Sequence, residues 1–224
     1  MAIMIPELVL FNIVNNLVEY LGTNFTEESD ETKTFLHRIF KGSVHDKKDY
    51  YDQAVALFTR KNDNPRSVRT RLFFDAERAK IPTVHITMPA DSNGEDSIGV
   101  GESGMPESMY EDSTSLTPSY ERRFDTTFQI ICTSDNHSEV LIMYHAIRAG
   151  LISIFDTISL SGLENAKISG QELRIKSDLV PENIFMRGIG IASSYEVKVP
   201  RLWSEQKIVD LFICPDQPKI KLDE

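Results

Sequence analysis

The string Gly99-Val100-Gly101-Glu102-Ser103-Gly104 matches the glycine spacing of dinucleotide-binding loops. That chemistry needs a strand running into the glycines and a helix leaving them, so that the first helical amides meet a pyrophosphate. Here no apolar strand precedes the string, and Met105-Pro106-Glu107 begins no periodic helix. The surroundings are also acidic enough to repel phosphate. Ser204-Glu205-Gln206-Lys207 has the Ser-x-x-Lys spacing of a serine nucleophile and its base. It lacks the companion motifs of those enzymes and reads as a turn or cap. His37, His45, His85, His137 and His145 include no pair at metal-ligand spacing on one helix face. Each is expected to face solvent or to be a hydrogen-bonded core residue. Cys132 and Cys214 are far apart in the chain, which excludes a disulfide scaffold and a cysteine-rich zinc site. No catalytic residue, cofactor site or metal site is expected, and the chain reads as a non-enzyme.

Charge is the more informative signal. The formal net charge is −10, from 34 acidic and 24 basic residues. Residues 90–119 hold Asp91, Glu95, Asp96, Glu102, Glu107, Glu111 and Asp112 and no Lys or Arg. Four glycines, two prolines and seven serines fill much of the remainder, so little there can offset the entropy of ordering. The segment is expected to be a long mobile loop, and a loop of that length inside a domain is functional or disordered. The opposite charge gathers in Arg60, Lys61, Arg66, Arg69, Arg71, Arg78 and Lys80, partly offset by Asp63, Asp75 and Glu77. One reading of this cluster is phosphate contact. Another is a solvated strand face or a subunit contact. An acidic loop and a basic strand on one chain equally suit head-to-tail self-association.

The elements that position these groups follow from periodicity. Pro6 and Gly22 bracket a helix over 6–21. Leu8, Phe11, Val14, Val18 and Leu21 form its stripe, and Val9, Leu10, Ile13 and Leu17 widen it. A helix apolar over so much of its circumference is buried on two sides. Helices are expected over 33–41 and from Asp46, as its cap, to Arg60 and Lys61. At Val68 the period changes to two, giving strands at 68–74, 82–88, 120–132, 167–176 and 184–199. Asn136 and Glu139 form a capping-box-like start to a long helix over 138–158. Gly150 in that helix costs about 1 kcal/mol of propensity, which points to close packing against another backbone. Residues 200–224 form a tail in which 207–214 is strand-like. The expected fold is α+β: one domain over 1–199, a mostly antiparallel sheet packed by the long helix. A helical insertion at 30–62, the acidic loop 90–119 and the C-terminal tail complete it. No run of eighteen apolar residues occurs, so no membrane-spanning helix is expected. Glu7, Asn12, Asn15 and Asn16 argue against a secretory signal.

The order helix, strand, strand, long loop, strand, long helix, strand, strand resembles the tail-terminator and tail-completion proteins of tailed bacteriophages. Five segments carry the resemblance: helix 6–21, Lys80-Ile81-Pro82-Thr83-Val84-His85-Ile86, Arg123-Phe124-Asp125-Thr126-Thr127-Phe128-Gln129-Ile130, the Ser134-Asp135-Asn136 cap into 138–158, and Ser194-Tyr195-Glu196-Val197-Lys198-Val199-Pro200. The match is topological and covers about 80–199. The helices across 30–62, the tail and the acidic loop depart from the family's small members and suggest a larger neck protein with extra contacts. The resemblance implies a structural virion protein, assembled in the bacterial host cytoplasm. It would form a homo-oligomeric ring, often a hexamer, at the head–tail junction. Neighbouring neck, connector or tail-tube proteins would be its partners, and genomic DNA would pass through the lumen unbound. Leu8, Phe11, Arg69, Arg71, Glu102, Glu107 and Trp203 are the expected interface residues. The alternatives are a nucleic-acid-binding factor using 60–80 and a non-catalytic adaptor domain.

Overall fold

A computed structural model describes residues 4–27, 30–45, 48–59, 66–94, 102–103, 119–173 and 184–200. The strict alternation after Tyr120 becomes the central strand of an α+β sheet. Chain order runs α1 (Pro6–Glu27), α2 (Phe35–Phe40), β1 (Val44–His45), β2 (Lys48–Asp49), α3 (Tyr50–Phe58), β3 (Arg69–Leu72), β4 (Thr83–Asn93), β5 (Glu102–Ser103), β6 (Ser119–Ser134), α4 (His137–Ser153), α5 (Phe155–Leu160), β7 (Glu164–Glu172) and β8 (Phe185–Pro200). The main sheet has the order β3-β4-β6-β8-β7, with β5 paired to the start of β6. Only β3 and β4 are parallel; the other pairings are antiparallel.

Pleating puts alternate side chains on opposite faces. Phe128, Ile130 and Cys132 of β6 share one face with Ile191, Ile189 and Arg187 of β8 opposite them. Val84 and Ile86 of β4 join that face. These apolar residues are buried beneath α1 and α4, with α3 packed against those two helices. The other face of β8 is small: Gly188, Gly190, Ala192 and Ser194. Both faces therefore fall as the alternation predicts.

Several boundaries differ for identifiable reasons. Strand β4 continues past Met88 to Asn93, because Pro89 falls in a register shift between Thr87 and Ala90. A bulge tolerates a residue without a ladder N–H. Asp91 and its neighbours are thus strand, not loop; Glu102 and Ser103 are also strand, paired with Tyr120 and Ser119. The rest of the expected loop 90–119 lies outside the described residues. The long helix stops at Ser153, and Ile154 (φ −108°, ψ 22°) separates it from α5. Ser153 Oγ donates back to the Ala149 carbonyl at 3.0 Å, an alternative bond that bends helices. Asn136 caps α4 by accepting from the Ser138 N–H at 3.0 Å, but Glu139 turns instead to Arg66 and Ser134.

Helix α1 runs six residues beyond Leu21, and Asn24 Oδ1 accepts from the Phe35 N–H. Its buried stripe is Leu10, Val14, Leu17, Val18 and Leu21, so Leu8 lies outside the core. Asp49, not Asp46, caps α3, accepting from the Tyr51 N–H at 2.8 Å; Asp46 lies outside the described residues. The stretch 30–62 is not wholly helical, since β1 and β2 form a small ladder within it. Gly150 does meet a close neighbour, but a side chain rather than a backbone. A methyl group there would sit 2.6 and 2.7 Å from the Leu17 Cδ atoms.

Candidate interaction surfaces

The basic cluster is not one patch. Arg66 lies against the start of α4, where its guanidinium holds both Asp135 and Glu139. Its Nε donates to Glu139 Oε1 at 3.1 Å and its Nη2 to Glu139 Oε2 at 2.8 Å. Hydrogen bonds from Arg66 hold the Asp135 carboxyl below the usual carboxylate range, and the two acids push the Arg66 guanidinium upward. Glu139 also sits in the first turn of α4, where negative charge is favoured. Arg78 pairs with Asp75 at 3.5 Å. Arg60 and Lys61 lie outside the described residues. Arg69, Arg71 and Lys80 are left without an ion pair among the described residues. The two arginines alternate with Thr70 and Leu72, so both lie on the sheet face away from the helices.

His85 stands beside them on β4 and is fully buried. Its Nδ1 lies 3.0 Å from the Phe73 carbonyl and so carries the proton; its Nε2 lies 3.2 Å from Thr133 Oγ1. The Thr133 hydroxyl has a competing acceptor, the Thr83 carbonyl at 3.3 Å. Burial pushes the His85 pKa down, with Arg71 adding to the shift and Phe73 and Asp75 opposing it. His85 is therefore a bonded core histidine. The carbonyl that it holds belongs to Phe73, a non-glycine residue at φ 62° whose ring is 66% exposed.

At the other end of β4, Tyr195 donates to Asp91 Oδ2 at 3.0 Å on the helix side of the sheet. Its ring stacks on Phe124, with centroids 5.7 Å apart. Burial, the Asp91 bond and the charges of Asp91 and Glu7 push the Tyr195 phenol up to about 12. On the opposite face Ser194 Oγ donates to Asp125 Oδ1 at 2.6 Å, and Arg123 pairs with Glu164 at 3.5 Å. One acid of the supposed loop is thus a structural acceptor.

Large apolar side chains are also exposed on the helices that cover the sheet. Met4 packs against Gly162, which places the start of α1 beside the end of α5. With Leu17 against Gly150, the two contacts progress in opposite chain directions, as for an α1 antiparallel to α4. Ile5 and Leu8 of the α1 end, Ile152 of α4, and Phe155 and Leu160 of α5 all reach solvent, Leu160 at 88%. Of the expected interface residues, Leu8 and Arg69 are exposed, while Phe11 is half-buried against the core and Arg71 half-buried. Glu102 is in β5; Glu107 and Trp203 lie outside the described residues. Sequence reading missed Phe73, Ile152, Phe155 and Leu160. Ile152 and Phe155 fall within the helix expected over 138–158, and Leu160 just beyond it.

Cys132 is fully buried, and burial pushes its thiol up to about 12. The His145 pKa is lowered by burial and by Arg187 and Arg148. Glu102 and Ser103 lie in extended strand, where a dinucleotide fingerprint requires a turn into a helix. Among the described residues no group of three His, Cys, Asp or Glu side chains is placed to hold a metal ion. None of the described helices is long and apolar enough to cross a membrane. A scan against models of known protein families and a search of the curated proteins both return no match.

Proposed function

We propose that the chain is a structural subunit that closes into a homo-oligomeric ring at the head–tail junction of a tailed phage. The observation that carries this reading is the exposed apolar end of the helical layer, formed by Ile5, Leu8, Ile152, Phe155 and Leu160. Single exposed leucines need no explanation, whereas several large apolar side chains on adjoining helix ends mark a contact surface. A contact between two different patches, repeated with a closing rotation, makes a ring. The α+β sheet with α4 across it agrees with the element order on which the phage resemblance rests. The pairing of Arg66 and Arg78 with acids weighs against a nucleic-acid factor built on 60–80. In this reading DNA is a passing polymer repelled by the acidic chain, and the neighbouring rings of the neck are the partners.

The test is Leu8→Asp combined with Leu160→Asp. Both side chains are exposed, so the monomer is expected to fold with an unchanged circular dichroism spectrum. The assembled species seen by light scattering is expected to disappear. Wild-type assembly in the double variant refutes the apolar end as the ring contact.

A further inference from the structure

Strand β3 stands at one end of the strand order and, among the described residues, pairs with β4 alone. The Arg69 N–H donates to the Pro82 carbonyl at 3.2 Å and the Phe73 N–H to the Ile86 carbonyl at 2.9 Å. Backbone groups alternate in direction along a strand, so those of Thr70 and Leu72 point to the outer side. Three side-chain features mark this margin. Arg69 is exposed and Arg71 half-buried, both without an ion pair among the described residues. Among the described residues the Arg71 Nε is buried without a hydrogen-bond partner, as is the Nε of Arg148. Phe73 is held at φ 62° by the Ile86 and His85 bonds, with its ring standing in solvent. A bulky residue in that backbone region is uncommon and collects at functional positions.

We propose that the outer margin of β3, with Arg69, Arg71 and Phe73, receives the acidic segment 95–112 of a second copy of the chain. That segment carries Glu95, Asp96, Glu102, Glu107, Glu111 and Asp112 with no Lys or Arg. Ile98, Val100, Met105, Met109 and Tyr110 are interleaved with them. The carboxylates supply acceptors for the two guanidinium groups. An apolar side chain supplies the counterpart for Phe73, and an extended chain can bond to the open ladder groups. The segment departs from β4 after Asn93, whereas β3 pairs with β4 at Thr83–Ile86. Donor and receptor thus lie at opposite ends of one strand, the separation that a head-to-tail contact requires. The assignment rests on the ring reading only in taking the partner to be a second copy.

The experiment uses full-length proteins and labelled peptides of residues 95–112. The receptor is the whole chain with the six acids of 95–112 changed to their amides, which removes competition from its own segment. A fluorescein-labelled peptide of residues 95–112 is titrated into it and followed by anisotropy. Saturable binding is expected, weakening as salt rises. It is expected to fall at least tenfold with Arg71→Ala, with Phe73→Ala, or with the peptide's acids changed to amides. Arg71→Lys keeps the charge and removes Nε; an intermediate loss in a protein of unchanged melting temperature excludes misfolding as the cause. Absence of saturable binding, or binding unchanged by Arg71→Ala and Phe73→Ala, overturns the proposal. Tighter binding of a DNA oligonucleotide of equal charge also overturns it, in favour of a phosphate site. A second protein, with Arg69→Ala, Arg71→Ala and Phe73→Ala, is then mixed with the receptor. A heterodimer formed only in the mixture supports contact between copies. No association there, with the wild-type protein refusing peptide at every concentration, assigns the contact to the chain's own segment and overturns the second-copy claim. Leu8→Asp and Leu160→Asp leave peptide binding intact, so failure of the ring reading and failure of this one are separable.

Discussion

Gly150 offers a sharp test of how α1 and α4 pack. In an exposed helix Gly→Ala stabilises by about 1 kcal/mol. Here the new methyl group would lie 2.6 and 2.7 Å from the Leu17 Cδ atoms and 3.1 Å from Leu17 Cγ. Favourable carbon contacts lie at about 3.5–4.0 Å, so the overlap is about 1 Å against a side chain that is itself buried. Overpacking of this kind costs about 1–3 kcal/mol. The net expectation for Gly150→Ala is a loss of about 1 kcal/mol rather than a gain. Leu17→Ala alone costs about 2–5 kcal/mol. In that background the same Gly150→Ala removes no space from Leu17 and gains its propensity of about 1 kcal/mol. The sign therefore reverses, and the coupling between the two sites is about 2 kcal/mol. Urea unfolding of the four proteins, followed by circular dichroism in dilute solution at constant m-value, measures it. A gain of about 1 kcal/mol from Gly150→Ala in both backgrounds refutes the packing argument.

Two further outcomes follow from buried titratable groups. The lowered His85 pKa means that the unfolded chain takes up a proton before the folded one. Stability is therefore lost as pH falls from about 6.5, the ordinary histidine value, through the lowered one. The urea midpoint should fall between pH 7 and pH 5 more steeply in wild type than in His85→Gln, and equal slopes would count against the buried, neutral histidine. For Cys132, a Cys214→Ser chain should react with a thiol reagent only through unfolding, at least about a thousandfold slower than the urea-unfolded chain. Rapid reaction in native buffer contradicts its place in the core.

What was readable in the sequence was periodic. The alternation from Tyr120 to Cys132, and from Gly188 to Val199, assigned both faces of β6 and β8 correctly. Local signals that compete with one another were misread. The strand expected over 82–88 runs on through a register shift at Pro89, and Ile154 continues an apolar stripe yet breaks the helix. Leu8 has the spacing of the core stripe, but the stripe turns about Leu10, Val14 and Leu17 because Gly150 admits Leu17 there. The Arg66 tie to Asp135 and Glu139 joins residues about seventy positions apart, which no local pattern encodes. Phe73 is a strand residue by alternation; its positive φ arises from the Ile86 and His85 bonds, themselves products of the tertiary fold.

The most direct test of the ring assignment is the native mass of the wild-type chain across a concentration series, with negative-stain images of the largest species. A closed ring of defined symmetry is expected, its mass an integral multiple of the chain's and its assembly abolished by Leu8→Asp with Leu160→Asp. A protein that stays monomeric to its solubility limit, with the same mass profile in the double variant, contradicts it.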